Sequence, residues 1–313
     1  MLRKFAWRWI TVLLLTGFCA AAQPPGPALQ AAVSEAMAGR SGTAVVLDVR
    51  SEPRIIAAYR LEVAARRVAY PGSSIKPFTL VALLVSGKLG AQTALLCKRQ
   101  VAIAGRKLDC THPDTRQPLD PAAALAYSCN SYFTTVALRL TPVQLHDSLV
   151  NDGFTSSTNE APGEAAGAVA QADSREQLQL QAVGEWGIKI TPLELARAYE
   201  RLAALQPKHD EKLAPLFAGL EDSVAFGMAH NAQPESPMRV AGKTGTAPAD
   251  EGPWTHAWFA GYAPAQKPEI VVVVFLEKGH GGSEAATVAR AIFAAYAHSC
   301  SAQLAATATG GHK

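Results

Sequence analysis

Ile270-Val271-Val272-Val273-Val274-Phe275-Leu276-Glu277 carries apolar side chains at seven successive positions with no alternation. A β-branched run of that length reads as a strand buried on both faces, so the sheet that holds it needs cover above and below. The segment Ser283 to His298 offers one cover, a helix with Ala286, Val288, Ala289, Ile292, Phe293 and Tyr296 available for packing. Upstream, Val240 to Ala247 and His256 to Ala263 are also strand-like. At the other end of the chain, Thr43 to Val49 and Arg54 to Tyr59 are β-rich runs around Ser51-Glu52-Pro53, which suits an antiparallel hairpin. Strands near both ends with helices between describe an α+β chain, its antiparallel sheet of about five strands formed by both chain ends.

The intervening helices follow from punctuation and period. Pro27 to Gly39 opens on a proline, closes on a glycine and sets Leu29, Val33, Ala36 and Met37 at helical spacing. Ser74 to Ser86 is apolar nearly all round, which places that helix in the middle of a domain. Asp120 to Leu140 and Thr191 to Ala204 each open at or next to a proline and read as further helices, whereas Asn151 to Ser174 is polar with glycine and proline and reads as a loop. No repeat or low-complexity linker interrupts the chain. Residues 28 to 300 are expected to form one unit, with a helical lobe, a sheet lobe and a cleft between them.

Of 313 residues, 49% are hydrophobic and 18% charged, which excludes disorder and fibrous repeats. The net charge of +3 comes entirely from Arg3, Lys4 and Arg8, and the remainder of the chain is balanced. With no basic stripe to neutralise phosphates, no nucleic-acid partner is expected. Residues 1 to 8 are basic, Trp9 to Ala22 carry no charge, and Ala20-Ala21-Ala22 precede Gln23-Pro24-Pro25. That is the three-part layout of a signal peptide, too short to span a bilayer comfortably. Cleavage near Ala22 is expected, leaving 23 to 313 as an exported, periplasmic or extracytoplasmic domain, membrane-associated if the signal is retained. A lipid anchor at Cys19 is disfavoured by bulky Phe18 before it.

The four cysteines beyond the signal are Cys97, Cys110, Cys129 and Cys300. Gln100 to Leu108 contains two short alternating runs meeting at Gly105, a hairpin whose ends a Cys97–Cys110 disulfide would join in an oxidising compartment. The other reading is two buried free thiols. A zinc site built from Cys97, Cys110 and His112 lacks a fourth nearby ligand and a paired Cys-x-x-Cys spacing, so no metal and no cofactor is expected.

Three short segments carry the chemistry: Ser73-Ser74-Ile75-Lys76, Ser128-Cys129-Asn130 and Lys243-Thr244-Gly245-Thr246. Ser-x-x-Lys and Ser-x-Asn are weak alone and Lys-Thr-Gly-Thr is more selective; all three in this order after a signal peptide leave little room for chance. Ser73 and Lys76 stand three apart at the start of the buried helix, so both reach one face of its first turn. Burial and the helix dipole disfavour an ammonium there, which lets lysine act as a neutral base toward the serine hydroxyl. The alternative for Lys76 is a structural ion pair. Ser128 and Asn130 would share a side while Cys129 points into packing, suited to relaying a proton and holding a substrate amide; helix capping is their other reading. Lys243 supplies a cation, Thr244 and Thr246 hydroxyls, and Gly245 room for a substrate backbone. The N–H groups of Ser73 and Thr246 would form an oxyanion hole.

The chain resembles the transpeptidase domain of a penicillin-binding protein, in the class B group. The resemblance rests on Tyr70-Pro-Gly-Ser-Ser-Ile-Lys-Pro-Phe-Thr79, Ala126-Tyr-Ser-Cys-Asn-Ser-Tyr-Phe133, Gly187-Ile-Lys-Ile-Thr-Pro-Leu-Glu-Leu-Ala196, Ala241-Gly-Lys-Thr-Gly-Thr-Ala247 and Ala257-Trp-Phe-Ala-Gly-Tyr-Ala-Pro264. It implies an acyl-enzyme on Ser73, Lys76 as general base, Ser128 and Asn130 as relay and substrate holder, and Lys243 to Thr246 as carboxylate and oxyanion strand. The implied substrates are the D-Ala-D-Ala ends of peptidoglycan stem peptides, with β-lactams as covalent inhibitors and a cell-wall protein partner supplying localisation. The rival readings are a serine β-lactamase, which would need a deacylating base not evident in the motifs, and a sensor that binds a β-lactam or peptide without turnover.

Overall fold

The computed structural model describes residues 26–208 and 210–310, with side chains through 301. The expected signal peptide, 1 to 22, lies outside the described residues. In chain order the described elements are α1 (Gly26–Ala36), β1 (Gly42–Asp48), β2 (Arg54–Tyr59), α2 (Leu61–Arg66) and α3 (Lys76–Val85), then the hairpin β3 (Gln100–Ile103) and β4 (Arg106–Asp109). The helices α4 (Pro121–Ala126), α5 (Asn130–Val136) and α6 (Pro142–Asn151) follow, then β5 (Ala168–Val169), α7 (Arg175–Gln181), β6 (Ile188–Lys189), α8 (Pro192–Ala203) and α9 (Ala214–Ala225). The chain closes with β7 (Ala241–Pro248), β8 (Thr255–Ala263), β9 (Ile270–Leu276) and α10 (Ala286–Gly310).

The main sheet has five strands in the order β2-β1-β9-β8-β7, every pair antiparallel. The first two strands therefore meet the last three at the β1–β9 seam, as the strand pattern of the two chain ends implies. All seven residues of β9 are buried, and their alternation sorts them between two cores. Val271, Val273 and Phe275 join the helical side with Trp258 and α8, whereas Ile270, Val272, Val274 and Leu276 join α1 and α10. Period 2 is obeyed; it is invisible in the sequence because both faces are apolar.

Several helices depart from the sequence expectation. Asp120 to Leu140 is not one helix: α4 ends at Ala126, Ser128 takes a left-handed conformation (φ 54°), and α5 restarts at Asn130. The alanine-rich pattern runs through this break because both halves bury apolar residues in the same core. The last helix also runs beyond His298, to Gly310. The helices α2, α6, α7 and α9 were not anticipated, although α6 carries a readable start signal: Thr141 and Gln144 form a reciprocal capping box ahead of Pro142.

β7 is an edge strand, and the single 3-10 turn Gly72–Ile75 that precedes α3 packs against it. Gly72 has φ +52°, and a Cβ there would lie 2.5 Å from Thr246 O. A Cβ on Gly245 would likewise collide with the Pro71 carbonyl and approach Ser74 N to 3.0 Å. The two glycines let turn and strand touch backbone to backbone.

Candidate active site

Ser73 sits on the 3-10 turn and is half-buried, while Lys76, the first residue of α3, is fully buried. The expected shared first turn of an α-helix is thus a 3-10 turn running into one, with the Lys76 N–H donating to Ser73 O. The turn is pinned on several sides. Gly72 N donates to Gly184 O (3.2 Å), Ser74 Oγ to Pro71 O (2.8 Å), and the Trp258 indole N–H to Tyr70 O (3.0 Å).

Lys76 Nζ donates to Ser128 O (2.7 Å), Ser128 Oγ (3.2 Å) and Asn130 Oδ1 (2.6 Å). From the opposite wall, Lys243 Nζ donates to the same Ser128 Oγ (2.9 Å) and to Thr244 O (2.9 Å). One hydroxyl therefore receives two lysines. Its lone pairs are taken, so its own proton is free to point elsewhere. The left-handed Ser128 makes this possible, turning its side chain and carbonyl toward Lys76 while Cys129 is buried on the other side. Asn130 is fixed by donating Nδ2–H to Asp109 O (2.9 Å).

Burial depresses both lysines. It brings Lys76 down to about 8, and it holds Lys243 well below the usual lysine range, with the neighbouring Lys76 charge adding to the effect. Near neutral pH a useful fraction of Lys76 is a free amine. Two buried ammonium groups sharing one hydroxyl oppose each other, and an incoming carboxylate would relieve that opposition.

A cavity of about 360 Å³ opens over these groups, lined by Ser73, Ser128, Asn130, Thr244 and Thr246 among others. The fold thus brings all three motifs to one place, with Lys76 and Lys243 buried beneath its wall. Gly245 lies against the turn that carries Ser73, where a Cβ would meet the Pro71 carbonyl. The Thr246 hydroxyl accepts from Gly281 N (3.0 Å) and keeps its proton for a ligand.

Asp109, Thr111, Glu185, Met228, His280 and Ser283 also line the cavity and were not singled out from sequence. Glu185 matters most. Burial raises its carboxyl above the ordinary range, with Arg106 Nη1 3.5 Å away opposing the shift. Its signal in the sequence is an acid between Gly184 and Trp186, two residues before a segment that carries the family resemblance.

The cysteines also depart from expectation. No disulfide joins Cys97 to Cys110; among the described residues the cysteines are thiols. The fourth ligand that Cys97, Cys110 and His112 lack nearby in the sequence is supplied by folding, without any paired Cys-x-x-Cys spacing. Cys129 joins Cys97, Cys110 and His112, with all four ligand atoms within 4.8 Å of one another.

A buried lysine beside a serine-bearing turn, a serine between two lysines and a Lys-Thr-Gly edge strand thus stand together, a set of groups suited to serine acyl transfer. The penicillin-binding protein transpeptidase domain model matches residues 42–294, and the chain belongs to that family. The peptidoglycan D,D-transpeptidase PbpA of Mycobacterium tuberculosis is 24% identical over 272 residues, covering 72% of this chain and 54% of that protein. MrdA of Acinetobacter baumannii, also a peptidoglycan D,D-transpeptidase, is 24% identical over 287 residues, 74% of this chain and 42% of its own. The chain thus spans about half the length of these relatives.

Solved structures share the fold. The transpeptidase domain of Burkholderia pseudomallei penicillin-binding protein 3 superposes with a TM-score of 0.74 at 24% identity, covering 87% of this chain and 92% of that one. Penicillin-binding protein 2 of Helicobacter pylori, solved in complex with MreC, gives 0.74 at 18% identity over 84% of this chain and 61% of that one.

Proposed function

We propose that the chain is a serine D,D-transpeptidase or D,D-carboxypeptidase domain that acts on the D-Ala-D-Ala ends of peptidoglycan stem peptides and is acylated by penicillin. The observation that carries the reading is Ser128 Oγ held by both Lys76 and Lys243 at the wall of a cavity that Ser73 lines. Neutral Lys76 takes the Ser73 proton as Oγ attacks the penultimate D-Ala carbonyl. The oxyanion is received by the Ser73 and Thr246 N–H groups, and the terminal carboxylate lies against Lys243, Thr244 and Thr246. The Ser128 hydroxyl passes a proton to the departing amine and is resupplied by the lysines behind it. An amine or water then releases the acyl group from Ser73.

Glu185 gives the hydrolytic readings, carboxypeptidase and β-lactamase, a specific support: a carboxylate in the cavity able to activate water. Labelled penicillin should stay attached to wild type through denaturing electrophoresis, and Ser73→Ala should abolish labelling. A synthetic pentapeptide with and without an amine acceptor, its products read by mass spectrometry, separates transfer from hydrolysis. Nitrocefin turnover at tens per second or faster, on the order of an ordinary enzyme rate, would replace this reading with the β-lactamase one. Export belongs to the same proposal, with the first 22 residues of the sequence removed. N-terminal sequencing of the secreted product tests it, and an intact Met1 on membrane-bound protein would favour the anchor. A cell-wall protein partner that localises the domain completes the proposal.

A further inference from the structure

Next to the catalytic cavity the fold assembles a second set of chemically specific groups. Cys97 and Cys110 flank the β3–β4 hairpin, His112 follows Cys110 by two residues, and Cys129 precedes α5 between Ser128 and Asn130. Their four ligand atoms lie within 4.8 Å of one another, and Cys110, His112 and Cys129 are at most 4% exposed. We propose that Cys97, Cys110, His112 and Cys129 form a tetrahedral zinc site that locks the Ser128-Cys129-Asn130 loop to the β3–β4 hairpin.

Geometry separates this from a chance gathering of thiols. Cys110 Sγ and Cys129 Sγ are 3.8 Å apart, too far for a disulfide but close to the edge, about 3.8 Å, of a tetrahedron with Zn–S bonds of about 2.3 Å. Each ligating sulfur is met by one backbone N–H: Arg99 N to Cys97 Sγ (3.3 Å), Ser131 N to Cys110 Sγ (3.4 Å) and Tyr132 N to Cys129 Sγ (3.4 Å). Such donors stabilise thiolates, the form a metal binds. Arg99 adopts φ 64°, which folds the chain back over Cys97 and aims its N–H at the sulfur.

The histidine supplies an independent observation. His112 is 1% exposed, its Nδ1 is 2.8 Å from Pro113 O and 3.3 Å from Arg99 Nη1, which itself donates to that carbonyl (3.4 Å), and its Nε2 is buried with no hydrogen-bond partner. Nδ1–H donating to that carbonyl leaves the Nε2 lone pair open. This is how a metal-bound imidazole is held in one tautomer, and without a metal the same atom is an unsatisfied buried acceptor.

The donor set selects the metal. Three thiolates and an imidazole in a closed site suit zinc and disfavour hard cations such as magnesium or calcium. Binding replaces three S–H bonds by three Zn–S bonds and releases three protons to solvent, with no change of oxidation state. Because Cys129 lies between Ser128 and Asn130, and Cys110 adjoins Asp109, whose carbonyl accepts from Asn130, the metal would brace the residues that receive Lys76.

The test starts from the full chain produced in zinc-supplemented medium and purified without chelator. One zinc per chain should survive dialysis, and an organomercurial should release it as the ligating thiols are titrated. Cobalt exchanged into the wild-type protein should give the intense visible bands of a tetrahedral thiolate site, a readout that needs no variant. Cys97→Ser, Cys110→Ser, Cys129→Ser and His112→Ala should each weaken metal retention by about tenfold or more, whereas Cys300→Ser should retain one zinc per chain. Removing the zinc should also slow penicillin acylation at Ser73 by about tenfold or more, an effect that rests on the acyl-enzyme reading.

Metal-free wild type with Cys97, Cys110 and Cys129 all reactive, or a Cys97–Cys110 bridge in a non-reduced peptide map, would overturn the site. So would octahedral cobalt spectra. Failure of the functional reading looks different: the protein would hold zinc and take no penicillin label.

Discussion

At the scale of single residues, burial settles what Lys76 can do. The unperturbed lysine pKa would leave roughly one amine in three thousand neutral at pH 7, and a value of about 8 leaves about one in ten. Because the folded value is depressed, the neutral form is lost as pH falls. The acylation rate with penicillin should therefore rise about tenfold per pH unit below 8 and level off above it. A profile that is flat between pH 6 and 9 would remove Lys76 as the base. Lys76→Ala should slow labelling by several orders of magnitude. Gly245→Ala tests the packing beneath: its methyl meets the Pro71 carbonyl, so the turn bearing Ser73 must move. A cost of about 1–3 kcal/mol in urea unfolding is expected, together with slower acylation. The three motifs were legible as residue types at fixed spacing, and the structure brings them to one cavity. Glu185 and the approach of Cys129 to Cys97, Cys110 and His112 were not, because each becomes informative only when distant segments meet. Gly245 announces a close approach in the sequence, and the structure adds one neighbour that makes it, the Pro71 carbonyl.

At the scale of elements, the helix starts are written into the chain. Thr191 caps α8 by accepting from Glu194 N, and the Glu194 carboxylate reaches back to Thr191 N (2.7 Å) and across to Gly167 N (2.7 Å). Thr191→Ala should cost about 1 kcal/mol, the usual worth of a cap. Glu194→Ala should cost more, since the side chain is buried and its loss strands two N–H groups. Equal losses by chemical denaturation would mean that the Gly167 contact adds nothing. The strands of the main sheet and of the β3–β4 hairpin were readable to within a residue or two at each end because composition and turn signals agreed there, whereas the two-residue β5 and β6 were not. The α4–α5 break was not, since nothing in an alanine-rich run marks a left-handed serine. That residue type is a poor signal for φ > 0, and here the conformation is stabilised by two lysines from elsewhere in the chain.

At the scale of the whole molecule, one sheet separates two cores and belongs to both. On one face Val271, Val273 and Phe275 pack with Trp258 and the helical lobe; on the other Val272 and Val274 pack with Phe293 and Ile292 of α10. Neither core can melt and leave its face of β9 covered, so the two should unfold together, and the site draws on both lobes, taking residues from the helical segments, from β7 and from the turn that leads into α10. Phe293 gives a clean probe. It is fully buried and meets Phe259 edge-on with ring centroids 6.0 Å apart, on the face away from Ser73. Phe293→Ala should cost about 3–5 kcal/mol. If the cores are coupled, Trp258 fluorescence on the far face should report the same shifted urea midpoint as far-ultraviolet circular dichroism, with an unchanged m-value. Amide exchange in α8 and α10 should accelerate in parallel. A variant in which α1 and α10 exchange early while Trp258 keeps the wild-type midpoint would show that the outer layer unfolds by itself. The sheet lobe would then be two units joined at β9. Penicillin acylation of the still-folded variant should match wild type, because Phe293 does not line the cavity.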